Sequence, residues 1–183
     1  MTLDEKIDAL IGREGTYSNQ AADAGGETMW GITVAVARAF GYVGPMCDMP
    51  RASAVQIYTS RYWLQPKLDL VDAVSPALAD KLFDIGVNTG QATGVRFLQR
   101  ALNVLNQAGH AFPDVVVDGG IGGMTIAALK AFLDARGAEG HRVLLGMVGA
   151  QQSVYYIECA EKRVENETFE YGWQLNRAFG VSA

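Results

Sequence analysis

The chain has 183 residues, enough for one domain or two small ones, with 49% hydrophobic and 19% charged residues. That composition excludes a disordered chain, and no apolar run of about 18 residues is present to span a membrane. With 15 Lys and Arg against 20 Asp and Glu, two cysteines and two histidines, it argues against a nucleic-acid partner, a disulfide framework and a His/Cys zinc site. Glycine stands out at 21 residues, against a usual share of about 7%. The chemistry therefore falls to carboxylates, hydroxyls and backbone, with no metal or cofactor expected.

Thr2 and Glu5 have capping-box spacing, and Leu3, Ile7, Leu10 and Ile11 mark one face of a first helix running to about Arg13. The same segment lacks the basic and long apolar regions of a secretory signal, so synthesis in the cytoplasm is expected. Residues 14–32 have no helical period and are punctuated by Gly, Asn, Asp and Ser, predicting a loop or short irregular hairpin. Helical patterns return at 33–41 (Val34, Ala37, Phe40), 51–64 (Ala54, Ile57, Tyr58, Tyr62) and 76–88, where Ser75-Pro76 supplies an N-cap and first-turn proline. A helix over 92–107 has Val95, Leu98, Leu102 and Leu105 in phase, and a glycine-rich connection fills 109–123. Helices follow at 124–136, at 140–165 with Leu144, Val148, Val154 and Ile157 as its apolar positions, and at 168–179. The fold is predominantly α with at most one small β-hairpin near 15–32. A division near residue 73 separates two regions, 1–75 and 76–183, expected to pack as one compact body.

The loop at 14–32 is the densest functional candidate. Glycoside hydrolysis needs a protonated carboxyl on the leaving oxygen and a second group on the other face of the sugar. Glu14, at the end of an apolar-faced helix, suits the first task, because apolar surroundings keep a carboxyl protonated. Asp23, in a wetter glycine-lined turn, suits the second; Glu27 is its rival within the same loop. On spacing alone, a solvated helix-end charge and a turn-forming Asp are the more ordinary readings. Tyr17 and Trp30 flank the loop and are placed to line a saccharide cleft, whereas Trp63 and Trp173 read as core. Gly119 to Gly123 lacks the Lys-Ser/Thr of a phosphate loop and reads as a tight turn capped by Asp118. Cys47 and Cys159 read as free thiols.

Glu14-Gly15-Thr16-Tyr17-Ser18-Asn19, Asp23-Ala24-Gly25-Gly26-Glu27-Thr28 and Trp30-Gly31-Ile32-Thr33 together resemble the start of glycoside hydrolase family 108. Tyr58, Arg61, Tyr62 and Trp63 resemble the family's later Tyr-Trp motif. That family comprises phage endolysins and related lysozyme-like N-acetylmuramidases, so the resemblance implies a lysozyme-like helical fold. It also implies that Glu14 is the catalytic acid, since the acid of the family's Glu-Gly-Gly-Tyr motif falls there; this chain has Thr16 for the second Gly. Downstream, Phe83 to Gly90, Leu98 to Asn103 and Val117 to Thr125 resemble a predicted peptidoglycan-binding module, although Gly123 stands where Pro is common. Phe169-Glu170-Tyr171-Gly172-Trp173 with Asn176-Arg177 is similar to that module's carboxy-terminal signature. Phage-type lysozymes of another family carry a Glu, an Asp nine residues on and then a Thr. Glu14, Asp23 and Thr28 are similar in order, which implies that Asp23 and Thr28 hold the attacking water and that the product is inverted.

The resemblances imply a peptidoglycan hydrolase that cuts the β-1,4 bond between N-acetylmuramic acid and N-acetylglucosamine and lyses bacteria. The implied setting is a monomeric phage endolysin held in the host cytoplasm, without membrane insertion, until a separate holin-type pore releases it to the wall. A bacterial secretion-assisting muramidase shares the chemistry. A non-catalytic wall-binding protein is the alternative of a different class.

Overall fold

The structure, a computed structural model, describes residues 2–14, 17–18 and 26–179, without the side chains of Arg13 and Glu14. The fold is predominantly helical, with one small antiparallel sheet. By its contacts the chain divides into two compact units, residues 1–65 and 66–183. No helix among the described residues is long and apolar enough to cross a membrane.

The first unit opens with α1 (Leu3–Glu14). Its capping box closes as the spacing predicts: the Thr2 N–H donates to Glu5 Oε2 at 2.7 Å, and the Glu5 N–H to Thr2 Oγ1 at 3.3 Å. Ile7, Leu10 and Ile11 are buried, and Asp8 pairs with Arg51 at the start of α3 (Arg51–Ile57). Between these helices lie β1 (Tyr17–Ser18), β2 (Thr28–Met29), β3 (Ile32–Thr33) and α2 (Val34–Phe40). Instead of one hairpin at most, the sheet has three strands in the order β1-β2-β3, both pairs antiparallel. Each strand is two residues long, too short to leave a period-two signal in the sequence.

The helix predicted over 51–64 changes form half way. α3 ends at Ile57, and Tyr58–Leu64 winds on as a π-helix, with the Gln65 N–H reaching back to the Ser60 carbonyl at 2.9 Å. The Ser60 hydroxyl donates back to the Gln56 carbonyl at 2.7 Å, a side-chain bond that competes with the helical ladder. Tyr58 and Trp63 point inward from this wider turn.

The second unit holds α4 (Leu68–Asp72), a short helix the periodicity did not announce, then α5 (Pro76–Thr89) and α6 (Gln91–Leu105). Ser75 caps α5 as predicted, accepting from the Leu78 N–H at 3.3 Å, and also lies 2.6 Å from His141 Nε2. α7 (Gly123–Lys162) contains both helices predicted at 124–136 and 140–165, broken at Gly137 (φ 56°, ψ −146°). Its inward face differs from the prediction. Leu144 and Val148 are buried, but Val154 is 53% exposed and Ile157 45% exposed. Continuing the period from Leu144 and Val148 leads instead to Gln152 and Tyr156, which are buried and hydrogen-bonded to each other at 2.9 Å. An amide donating to a phenol occupies a core stripe that hydrophobicity alone assigned to Val and Ile. α8 (Glu167–Trp173) and a π-helical turn over Gln174–Ala178 close the chain.

Candidate active site

Glu14 is the last residue of α1. Its side chain, and all of Asp23, lie outside the described residues. The carboxyl separation that distinguishes inversion from retention falls outside them too.

The sheet orders the remaining candidates. Tyr17 pairs with Met29 and Ser18 with Thr28, while Met29 pairs with Ile32 and Thr28 with Thr33. Alternation along a strand then gives Ser18, Thr28 and Thr33 one face and Tyr17, Met29 and Ile32 the other. Met29 and Ile32 are buried. The Tyr17 hydroxyl donates to Glu27 Oε1 at 2.8 Å, a diagonal contact that brings Glu27 to the Tyr17 side. Thr28, half-buried, donates from Oγ1 to the Gly26 carbonyl at 3.4 Å. Tyr17 and Glu27 are therefore brought together, and Thr28 is turned to the opposite face. Thr33 caps α2, its Oγ1 accepting from the Val36 N–H at 3.4 Å.

Trp30 and Gly31 form the two-residue connection from β2 to β3, with φ of 55° and 73°. Positive φ at both positions is the signature of the turn whose twist matches a hairpin. Glycine adopts it freely at the second position, but a bulky residue at the first is a genuine exception. Two contacts hold it. The Trp30 indole N–H donates to the Met49 carbonyl at 2.9 Å, and the Trp30 carbonyl accepts from the Tyr58 hydroxyl at 3.0 Å. Tyr58 is fully buried, so its hydroxyl is fixed and the turn with it. The result is a half-buried indole in one orientation at the rim of the sheet. A rigid aromatic face of this kind suits stacking on the C–H face of a sugar ring.

The sequence places Tyr58 in the helical pattern at 51–64 and in a Tyr-Trp motif; the structure gives it a positioning role behind Trp30. Met49 was not anticipated, because it acts through its backbone carbonyl and no side-chain pattern announces that. Beside Tyr58, the Tyr62 ring packs at 5.6 Å, and burial pushes its hydroxyl pKa up, partly countered by the Arg61 charge. Trp63 is buried beneath Lys6, whose ammonium lies 4.8 Å from the indole centre.

In the second unit, the glycine-rich connection is held by one face of α6. Gln99 Nε2 donates to Asp118 Oδ1 at 2.9 Å and to the Gly120 carbonyl at 3.0 Å, while its Oε1 accepts from the Gly119 N–H at 2.9 Å. Asn103 exchanges two 2.8 Å bonds with the Val115 backbone, and Asn106 reaches Asp114 Oδ1 at 2.6 Å and the Gly109 N–H at 3.0 Å. Gly119 has φ 81°, and a Cβ there would sit 2.9 Å from the Ala92 carbonyl oxygen, so no larger residue fits. Hydrogen bonds from Gln99 and the Gly120 N–H hold the Asp118 carboxyl below its ordinary pKa. The turn predicted at 119–123 with Asp118 as its cap is thus a structural clasp.

Residues 7–90 match the family model described as glycosyl hydrolase 108, and residues 93–178 match the predicted peptidoglycan domain. Among solved structures, SagA of Brucella abortus is similar in fold, with a TM-score of 0.72 over 97% of this chain and 90% of that one, at 21% identity. No curated protein matches the chain.

Proposed function

We propose that the chain hydrolyses the β-1,4 bond between N-acetylmuramic acid and N-acetylglucosamine, because residues 7–90 match the glycosyl hydrolase 108 model and residues 93–178 the predicted peptidoglycan domain. It is a glycoside hydrolase, and peptidoglycan is its partner. The observation that carries the finer reading is the match over 7–90, which contains the end of α1 at Glu14 and the sheet bearing Thr28 and Trp30.

In this reading Glu14 protonates the departing glycosidic oxygen, and Asp23 with Thr28 holds the water that attacks the opposite face of the sugar. The arrangement of the sheet supports Asp23 over Glu27 as the second carboxylate. Glu27 already accepts the Tyr17 hydroxyl and is held to the Tyr17 side, away from Thr28. Glu27 and Tyr17 then brace the hairpin and, with Trp30, line the saccharide cleft. Attack from the far side inverts the anomeric carbon.

The test is turbidity clearing of permeabilised Gram-negative cells, with new reducing ends counted in the digest. Glu14→Gln is expected to lose at least about 100-fold in rate while still binding sacculi, the usual scale for losing a general acid. Equal clearing by wild type and Glu14→Gln would overturn the assignment. An anomer of retained configuration, or Glu14 and Asp23 carboxyls about 5 Å apart, would overturn inversion. The setting we propose is bacteriolysis by a phage endolysin that waits in the host cytoplasm for a separate pore. Host lysis on expression without a co-expressed holin would count against it.

A further inference from the structure

The polar groups around residues 109–120 are engaged by α6, so that loop presents few of them to a ligand. What the second unit does present is aromatic. Phe169, on α8, is 57% exposed, and its ring stacks on Trp173 at 5.9 Å and 24°. Trp173 in turn lies 5.3 Å from Tyr156 of α7, tilted by 32°, and Tyr156 is buried. Below the stack, Gln174 Nε2 donates to the Ser153 carbonyl at 3.1 Å, fastening α8 to α7. Three rings therefore run from the core outward and end in an open one. Such a ring is already immobilised by its neighbours, so a ligand stacking on it gives up little additional side-chain freedom.

The charge around the stack narrows the occupant. From residue 158 to 170 the chain carries five glutamates against Lys162 and Arg163, and Lys162 lies 3.9 Å from Glu158. This setting disfavours an acidic stem peptide, with its several carboxylates, and favours a sugar face rich in donors. We propose that Phe169 and Trp173 form a stacking subsite for the N-acetylglucosamine units of glycan strands, outside the catalytic unit. The sugar lays its C–H face on the Phe169 ring, on a helix whose first turn carries Glu167 and Glu170. This rests on the reading that residues 93–178 engage peptidoglycan and names the part of peptidoglycan engaged.

The experiment is affinity electrophoresis of the full chain through glycan strands stripped of stem peptides, with intact sacculi as a second arm, every protein compared for retention carrying Glu14→Gln so that the ligand stays uncut. Phe169→Ala is expected to weaken retention by stripped strands about 3- to 10-fold, the scale of one aromatic stacking contact. Phe169→Trp is expected to restore it, and the rate on a short soluble glycan is expected to stay at the wild-type level in both variants. Equal retention of Phe169→Ala and wild type would overturn the proposal. Binding of wild type to intact sacculi but not to stripped strands would also overturn it, assigning the unit to stem peptides and leaving the hydrolase reading intact. Loss of hydrolysis of both substrates by wild type would instead overturn the hydrolase reading itself. A change of mass in light scattering on Phe169→Ala, with retention unchanged, would overturn the proposal in favour of contact between copies of the chain.

Discussion

Residues 26–33 and residues 109–122 are both short segments punctuated by glycine, both held by side chains from elsewhere in the chain, and they differ in how many of their own polar side chains those contacts take up. In the second, Gln99, Asn103 and Asn106 stand on one face of α6 and bind the loop's own backbone and its Asp114 and Asp118 carboxylates. In the first, the backbone is held from outside by Tyr58, while Tyr17, Glu27 and Thr28 stay at or near the surface on strands two residues long. Glycine marks where a chain must turn tightly in both cases. Whether the turn can serve a ligand depends on which groups satisfy the backbone around it.

Substitutions that uncouple these two devices put the comparison at risk. The largest effect is expected for Gln99→Ala, which leaves the Gly119 N–H and Gly120 carbonyl without their partner and opens a cavity at a buried site. A loss of about 2 to 4 kcal/mol is expected in denaturant unfolding, with cleavage of a short soluble glycan by the folded protein unchanged. A loss of intrinsic cleavage would show that the clasp serves the site after all. Tyr58→Phe should act the other way round. It removes the hydroxyl donated to the Trp30 carbonyl, costing about 1 to 2 kcal/mol of stability and raising KM for glycan strands more than it lowers kcat. A fall in kcat with KM unchanged would mean that the turn supports the chemistry rather than the substrate.

The smallest effect is expected from acid. The folded pKa of Asp118 lies below its ordinary value of 3.8, so its contribution to stability is complete above that value. It drains away as pH falls through the lower folded pKa. Asp118→Asn should therefore flatten the acid limb of stability against pH below about 4, as read by thermal unfolding. An acid limb identical in both proteins would remove Asp118 from the clasp.

Much of the helical layout was legible because its signals are local. The Thr2–Glu5 capping box, the Ser75-Pro76 start of α5 and the in-phase Val95, Leu98 and Leu102 of α6 need only a few residues of context. The break at Gly137 was legible too, as the gap between two helical patterns. The third strand, the π-helical turn at 58–64 and the exposure of Val154 and Ile157 were not. The strands are too short to carry a period, the π-helical turn follows a competing side-chain hydrogen bond, and the exposure of Val154 and Ile157 depends on which face the packing chooses. The site divides the same way: the order of Glu14, Asp23, Thr28 and Trp30 could be read as a motif, but the pinning of Trp30 by Met49 and Tyr58 could not.

By itself, the order of residues determined a helical chain poor in His and Cys, and it pointed to the carboxylates of one loop as candidates for the chemistry. Composition, capping and periodicity are properties of neighbouring residues and survive without a fold. Only the tertiary structure decided that Tyr17 and Glu27 face away from Thr28, that Trp30 is held in a left-handed turn, and that the second glycine-rich turn is clasped by α6. Those outcomes turn on strand register and on contacts between residues 10 to 28 positions apart, which the packing of the chain alone brings within hydrogen-bonding distance.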